Sequence, residues 1–326
     1  MSSPSNDSPI PPESEPFELS ASDERIVEHT DASAGIGGFK YYIFDWDDNV
    51  LHMPTKIVLE KREDDGQWSR YPVSTSMFAL IRNDTENFRP PGGDWESAFV
   101  NFRDLQERGE SAFLADTRKA LQPIIDGEAK GAPCFDVFRK TLIDGRLFGI
   151  VTARGHKPES IRKGVEYFID QVLTDEERAT MIGNLRRYRV AFGEDEELPD
   201  TDVLDAFLSL NKYHGVTSPE FQRGILGNEE GSSHNPEEAK QVAIRDFVEH
   251  VLGIIGQGNI DAPISVGFSD DDLGNITAVK EYIEQFLAKE YPHVSFVVFD
   301  TSDPDLNEGK KIILQGQLEL GLDEPS

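Results

Sequence analysis

Cysteine occurs once in 326 residues, at Cys134. A single thiol cannot close an internal disulfide or build a thiolate metal site. With no His or Asn arranged around it, Cys134 reads as a small buried apolar side chain. Long apolar runs are also missing. No stretch approaches the roughly 18 residues a bilayer span needs, and no apolar segment follows a basic one as a secretory leader requires. Basic residues are scarce, 32 Lys and Arg against 61 Asp and Glu, which leaves a net charge of −29. Such a field favours solubility and argues against nucleic acid and anionic membranes as partners. The 7 histidines show no zinc-type spacing. Neither a Gly-x-x-x-x-Gly-Lys-Ser/Thr phosphate loop nor a Gly-x-Ser-x-Gly elbow occurs. The expectation is a soluble, cytoplasmic protein of a reducing compartment, with its oligomeric state left open.

Hydrophobic residues make up 37% and aromatics 10%, enough for a substantial core. Residues 1–37 are rich in Ser, Pro, Glu and Asp, and read as a disordered acidic tail because they cannot bury enough surface to offset chain ordering. From about Gln317 the composition suggests a shorter flexible tail. Between them, within residues 38–316, lie the apolar runs YYIFD (41–45), LFGIVT (147–152), ISVGFSD (264–270) and VSFVVFD (294–300). Continuous rather than alternating hydrophobicity suits strands covered on both faces. Helical patterns separate them at 113–127, 158–173, 235–255 and 275–291, the third opening with Asn235 as a cap. The order predicts an α/β domain with a Rossmann-like, mainly parallel sheet flanked by helices. Two intervals exceed simple crossovers and read as insertions. Residues 53–112 include a β-hairpin about a DDG turn, and 174–234 are partly helical, with a short strand near 214–221.

Three apolar runs end in polar residues: Asp45, then Thr152, then Asp270 and Asp271. In open parallel sheets, ligands gather at the carboxyl ends of strands. The first run carries Asp45, Asp47 and Asp48 within YYIFDWDDNVLHM. Two like charges about 4 Å apart repel by roughly 4 kcal/mol at an effective dielectric near 20. A hard cation is the natural offset, and oxygen-only ligands with few carboxylates suit Mg²⁺. An EF-hand starting at Asp45 fails, with Val50 where Gly belongs and Lys56 where Glu belongs. GIIGQG (253–258) follows a helix, so it reads as a turn and not a dinucleotide loop.

From about Lys40 to Ile313 these motifs resemble the haloacid-dehalogenase-like (HAD) hydrolase superfamily. Its first motif, strand then Asp-x-Asp-x-Thr, is met by YYIFDWDDNVL, with Asn49 in place of the usual Thr and Asp48 where Gly is common. FGIVTARG supplies the second motif with Thr152, NPEEAKQVAI the third with Lys240, and SVGFSDDDLGNI the fourth. The last looks like the Asp-Asp-x-x-x-Asn-Ile variant of small magnesium-dependent phosphatases. The resemblance implies a Mg²⁺-dependent phosphomonoesterase acting on a small phosphorylated substrate. Asp45 would be the nucleophile, Asp47 the general acid/base, Thr152 a phosphate donor and Lys240 the charge neutraliser. Asp45, Asp47, Asp270 and Asp271 would serve the metal. Trp46, through its backbone, and Arg154 are candidates to touch the substrate; Asn275 is a candidate to steady the fourth-motif loop near it. Asp48 and Asp272 read as solvated acids, His52 and His156 as loop histidines. A phosphomutase or phosphotransferase shares the same intermediate. A catalytically silent binding or regulatory protein on this fold is the rival of another class. The insertions would form a lid and a wall that choose the substrate.

Overall fold

The computed structural model describes residues 39–104, 112–193, 197–225, 227, 236–257, 264–303, 305–306 and 308–314. Both expected tails and Asn235 lie outside the described residues.

Six strands form the main sheet: β1 (Phe39–Phe44), β5 (Phe148–Thr152), β6 (Lys212–Gly215), β7 (Ile264–Asp270), β8 (Val294–Asp300) and β9 (Lys310–Leu314). Their order is β6-β5-β1-β7-β8-β9, with only β9 antiparallel to its neighbour. A second, three-stranded antiparallel sheet, β3-β2-β4, holds β2 (Ile57–Arg62), β3 (Trp68–Val73) and β4 (Phe88–Arg89). Thus the hairpin expected after the first strand is present, with β4 added to it.

Burial explains the continuous apolar runs. All of β5 is buried. On β1, Phe39, Tyr41 and Ile43 enter one core and Phe44 enters the other, so successive side chains feed opposite faces. The Ile43 face packs on α9 (Pro236–Gln257) and α10 (Leu273–Tyr282). The Phe44 face packs on α3 (Ala112–Ile125), α4 (Phe135–Ile143), α5 (Pro158–Val172), α6 (Asp175–Ala191) and α7 (Asp200–Leu210). A third, small core of Ile57, Leu59, Val73, Ala98 and Phe102 belongs to the first insertion, which also carries α1 (Thr75–Ile81) and α2 (Trp95–Ala98).

Two readings of the chain are corrected. Residues 174–234 do not form a pure insertion, because β6 joins the main sheet beside β5, followed by α8 (Pro219–Gly224). Lys-Tyr-His-Gly is too short and polar to show as an apolar run, and it begins before the expected position. Residues 253–257 continue α9 rather than turn, since burial of Val251 and Ile255 carries the helix past its glycines.

Register sets the site. Phe44 lies beside Ser269 of β7 and Ile150 of β5. Asp45, just past β1 with its N–H on Ser269 O at 2.9 Å, and Asp270, the last residue of β7, therefore stand side by side at the sheet edge, with Thr152 at the end of β5. The sheet order reverses at β1, where a crevice forms outside the carboxyl ends of neighbouring strands.

Candidate active site

Beyond β1 the chain turns tightly. The Trp46 carbonyl accepts from Val50 N and Leu51 N, both at 3.1 Å. Asp48 sits in the left-handed region at φ 54°, which Asp tolerates better than most residues. That conformation accounts for an Asp where Gly is common. Its carboxylate accepts from Thr75 Oγ1 at 2.7 Å and meets His52 Nδ1 at 2.9 Å. Asp48 is therefore an anchor for α1 and not a solvated acid. Burial raises its pKa, but the bonds from His52 and Thr75 outweigh that and hold it low. At the other end of α1, Arg82 pairs with Asp272 at 3.9 Å. The helix therefore reaches from the loop after β1 to the loop after β7.

Asn49 is fully buried and ties three strand ends. Its Nδ2 donates to Asp45 O and to Ser269 Oγ, each at 2.9 Å, and its Oδ1 accepts from Thr301 Oγ1 at 2.7 Å. The amide thus supplies the local bond expected of a Thr there and adds three to neighbouring strand ends, the third from Nδ2 to Ser269 O at 3.4 Å.

Oxygens of Asp45, Asp270 and Asp271 lie within 4.8 Å of one another. Lys240, buried near the start of α9, donates to Asp45 Oδ1 at 2.9 Å and to Asp270 Oδ2 at 2.6 Å. Asp270 also accepts from Asp272 N at 3.0 Å and from Asn275 Nδ2 at 3.0 and 3.2 Å. Asn275 thus orients Asp270 and steadies this loop. Asp272 caps α10 through Gly274 N and Asn275 N, so the helix starts two residues before the expected point.

The electrostatics are those of crowded acids. Burial pushes the Asp45 carboxyl well above its ordinary range; Lys240 opposes this, while Asp270 and Asp47 add to it. Burial, then Asp45 and Asp270, push Asp271 up to about 9. Burial works against the Lys240 charge, but Asp270 and Asp45 win and hold the ammonium above the ordinary lysine range. One ammonium cannot offset three ionised carboxylates, so without a cation the cluster favours a protonated Asp271. An all-oxygen carboxylate set of this kind fits a hard divalent cation.

Asp47 lies outside that trio, so its side chain is not grouped with the metal candidates. Arg154 Nε and Nη2 donate to its Oδ2 and Oδ1 at 2.7 and 2.6 Å, and Thr152 Oγ1 donates to Oδ2 at 3.4 Å. Arg154, expected at the substrate, is buried at 1% exposure and paired with Asp47, while its Nη1 has no hydrogen-bond partner among the described residues. Trp46 buries its ring against Phe113 and Phe138. His156 is on a loop, as expected, yet wholly buried. Cys134 is buried, and burial pushes its thiol up to about 12.

Thr55, Asp116, Ser269 and Thr301 were not singled out by the sequence. They are lone polar residues whose partners lie far along the chain, and only Ser269, inside a motif strand, carried any signal. No family profile, curated protein or solved structure matches the chain. Among the described residues no helix is long and apolar enough to cross a membrane.

Proposed function

We propose that this chain is a Mg²⁺-dependent phosphomonoester hydrolase of the HAD-like kind, with a Rossmann-like core, working through an aspartyl phosphate on a small substrate. The observation that carries the reading is Asp45, Asp270 and Asp271 gathered within 4.8 Å at the end of β1 and β7, with Lys240 bridging two of them.

With Oδ1 held by Lys240, Asp45 Oδ2 attacks phosphorus. A carboxylate O–P bond forms as the ester P–O bond breaks. Asp47, entering the step protonated, delivers that proton to the departing oxygen, then regains one from the water that releases inorganic phosphate. Each of its oxygens offers two lone pairs, so the Arg154 fork leaves acceptor capacity for that water. Thr152 turns its single hydroxyl proton from Asp47 Oδ2 to a phosphoryl oxygen, and Lys240 offsets charge on the phosphorylated side chain. Asp45, Asp270 and Asp271 would hold Mg²⁺, which when bound screens Asp45 from the phosphate it approaches. By linking the two loops, α1 ties the first insertion to the edge of the site.

The engagement of Asp47 by Arg154 also fits the second reading, a silent binding protein on the same fold. Hydrolysis of p-nitrophenyl phosphate with Mg²⁺ separates the two. The wild type should turn over, and Asp45→Asn should lower kcat by about 10³-fold or more. Equal rates for the two proteins, or activity that survives excess chelator, would overturn the proposal.

A further inference from the structure

Arg154 has the surroundings of a part built for one task. Its guanidinium spends Nε and Nη2 on the two oxygens of Asp47, and Nη2 also donates to Thr55 Oγ1 at 2.7 Å. Thr55 Oγ1 in turn donates a hydrogen bond to Asp116 Oδ2, on α3. The planar group lies 4.6 Å from the Phe102 ring centroid and 5.6 Å from that of Phe113. Its backbone is pinned as well: Arg154 N donates to Thr152 Oγ1 at 3.3 Å, and the next residue, Gly155, donates N–H to Phe102 O at 2.9 Å.

These contacts come from different parts of the fold. Asp47 belongs to the turn after β1. Thr55 sits where the chain leaves that turn for β2. Phe102 belongs to the small core of the insertion, alongside Ile57, Leu59, Val73 and Ala98. One guanidinium therefore touches both the insertion and the proposed acid/base.

We infer that Arg154 is a positioning residue, which sets the orientation of Asp47 and makes it depend on the seating of the insertion through Thr55 and Phe102. The inference rests on the proposed hydrolase reading. Asp47 needs such a device because it stands on a turn, clear of any strand that would aim it. Misplacing a reacting group by about 1 Å can cost on the order of 10²-fold in rate. A guanidinium fork fixes both carboxylate oxygens at once, whereas an ammonium offers one point charge.

The test is a double-mutant cycle with p-nitrophenyl phosphate and Mg²⁺ on the full chain. Arg154→Lys should lower kcat by about 10–100-fold while KM stays within about 3-fold. Thr55→Val, nearly isosteric and further from the chemistry, should lower kcat by about 3–10-fold and carries the test if Arg154→Lys does not fold. In an Asp47→Asn background neither change should matter by more than about 2-fold, because its target is already gone. A raised KM with kcat intact would overturn the inference in favour of substrate binding. Losses that multiply with Asp47→Asn would overturn it in favour of a purely structural role. A wild type without Mg²⁺-dependent turnover removes the hydrolase reading and the inference with it; an active wild type with multiplying losses removes the inference alone.

Discussion

His156 is wholly buried, packed edge-on to Phe113 at 5.4 Å, and neither ring nitrogen has a hydrogen-bond partner among the described residues. Burial first, then the Arg154 charge, push its pKa down to about 4, against the weaker pull of Asp104, Asp47 and Asp116. The unfolded chain takes up this proton near pH 6.5, the folded chain only near 4. Stability is therefore lost as pH falls through that window, by about 3 kcal/mol at most. His156→Leu should keep Tm at pH 7 within a few degrees and flatten the decline between pH 6.5 and 4. Scanning calorimetry of both proteins across that range checks it, and parallel declines would refute the assignment. The sequence marked His156 only as a loop histidine, because nothing in TARGH shows that Phe113 covers it. Asp45 and Asp270 were legible for the opposite reason, whereas Lys240, on a helix, was marked only through the motif of the resembled family. An apolar strand that ends in an acid announces both its direction and its exposed end, so the sheet does the placing. Arg154 was legible as a residue near the site but not in its role. Which way a loop side chain turns depends on Asp47, Thr55 and Phe102, which are 107, 99 and 52 positions away in the chain or close to it.

At the scale of elements, β6 shows what periodicity cannot supply. Its four residues lack an apolar run, and the strand exists because β5 offers a parallel edge and Tyr213 fills the core beneath it. The strand ends on Gly215, which passes under the loop that carries Arg154 and His156. A Cβ there would lie 2.3 Å from His156 O and 2.8 Å from Arg154 O, both backbone atoms that cannot swing aside. Gly215→Ala should thus cost about 1–3 kcal/mol, the usual range for overpacking. It should also lower turnover beyond what the lost stability explains, since the displaced loop is the one that aims Asp47. Denaturant unfolding beside steady-state kinetics measures both, and an unchanged midpoint would show that the loop is slack. The first insertion was more readable, because a DDG turn between alternating residues is a local signal. Its attachment to the site was not: Thr75 on Asp48 and Arg82 on Asp272 are tertiary bonds with no local signature.

For the whole molecule, a net charge of −29 sets a background of repulsion that any cation relieves, so a response to Mg²⁺ alone would say little about the cluster. The pH dependence separates the two. Asp271 is pushed up to about 9 by burial, then by Asp45 and Asp270, from an ordinary 3.8. Between those values the folded metal-free chain holds a proton that the unfolded chain has released, so stability falls as pH rises through the window. Ligation requires ionised carboxylates, so the gain from Mg²⁺ grows over the same span. In chelator, Tm should drop by roughly 2–4 °C for each kcal/mol lost between about pH 6 and 8.5, and Mg²⁺ should restore more at the upper end. Asp271→Asn should reduce that slope, leaving the part Asp45 contributes, and remove most of the specific Mg²⁺ gain. General screening would persist in the variant, because one charge in 61 acids barely changes the field. Equal Mg²⁺ shifts in the two proteins at pH 8.5, at matched ionic strength, would assign the response to overall charge and leave the three carboxylates without an ion to hold.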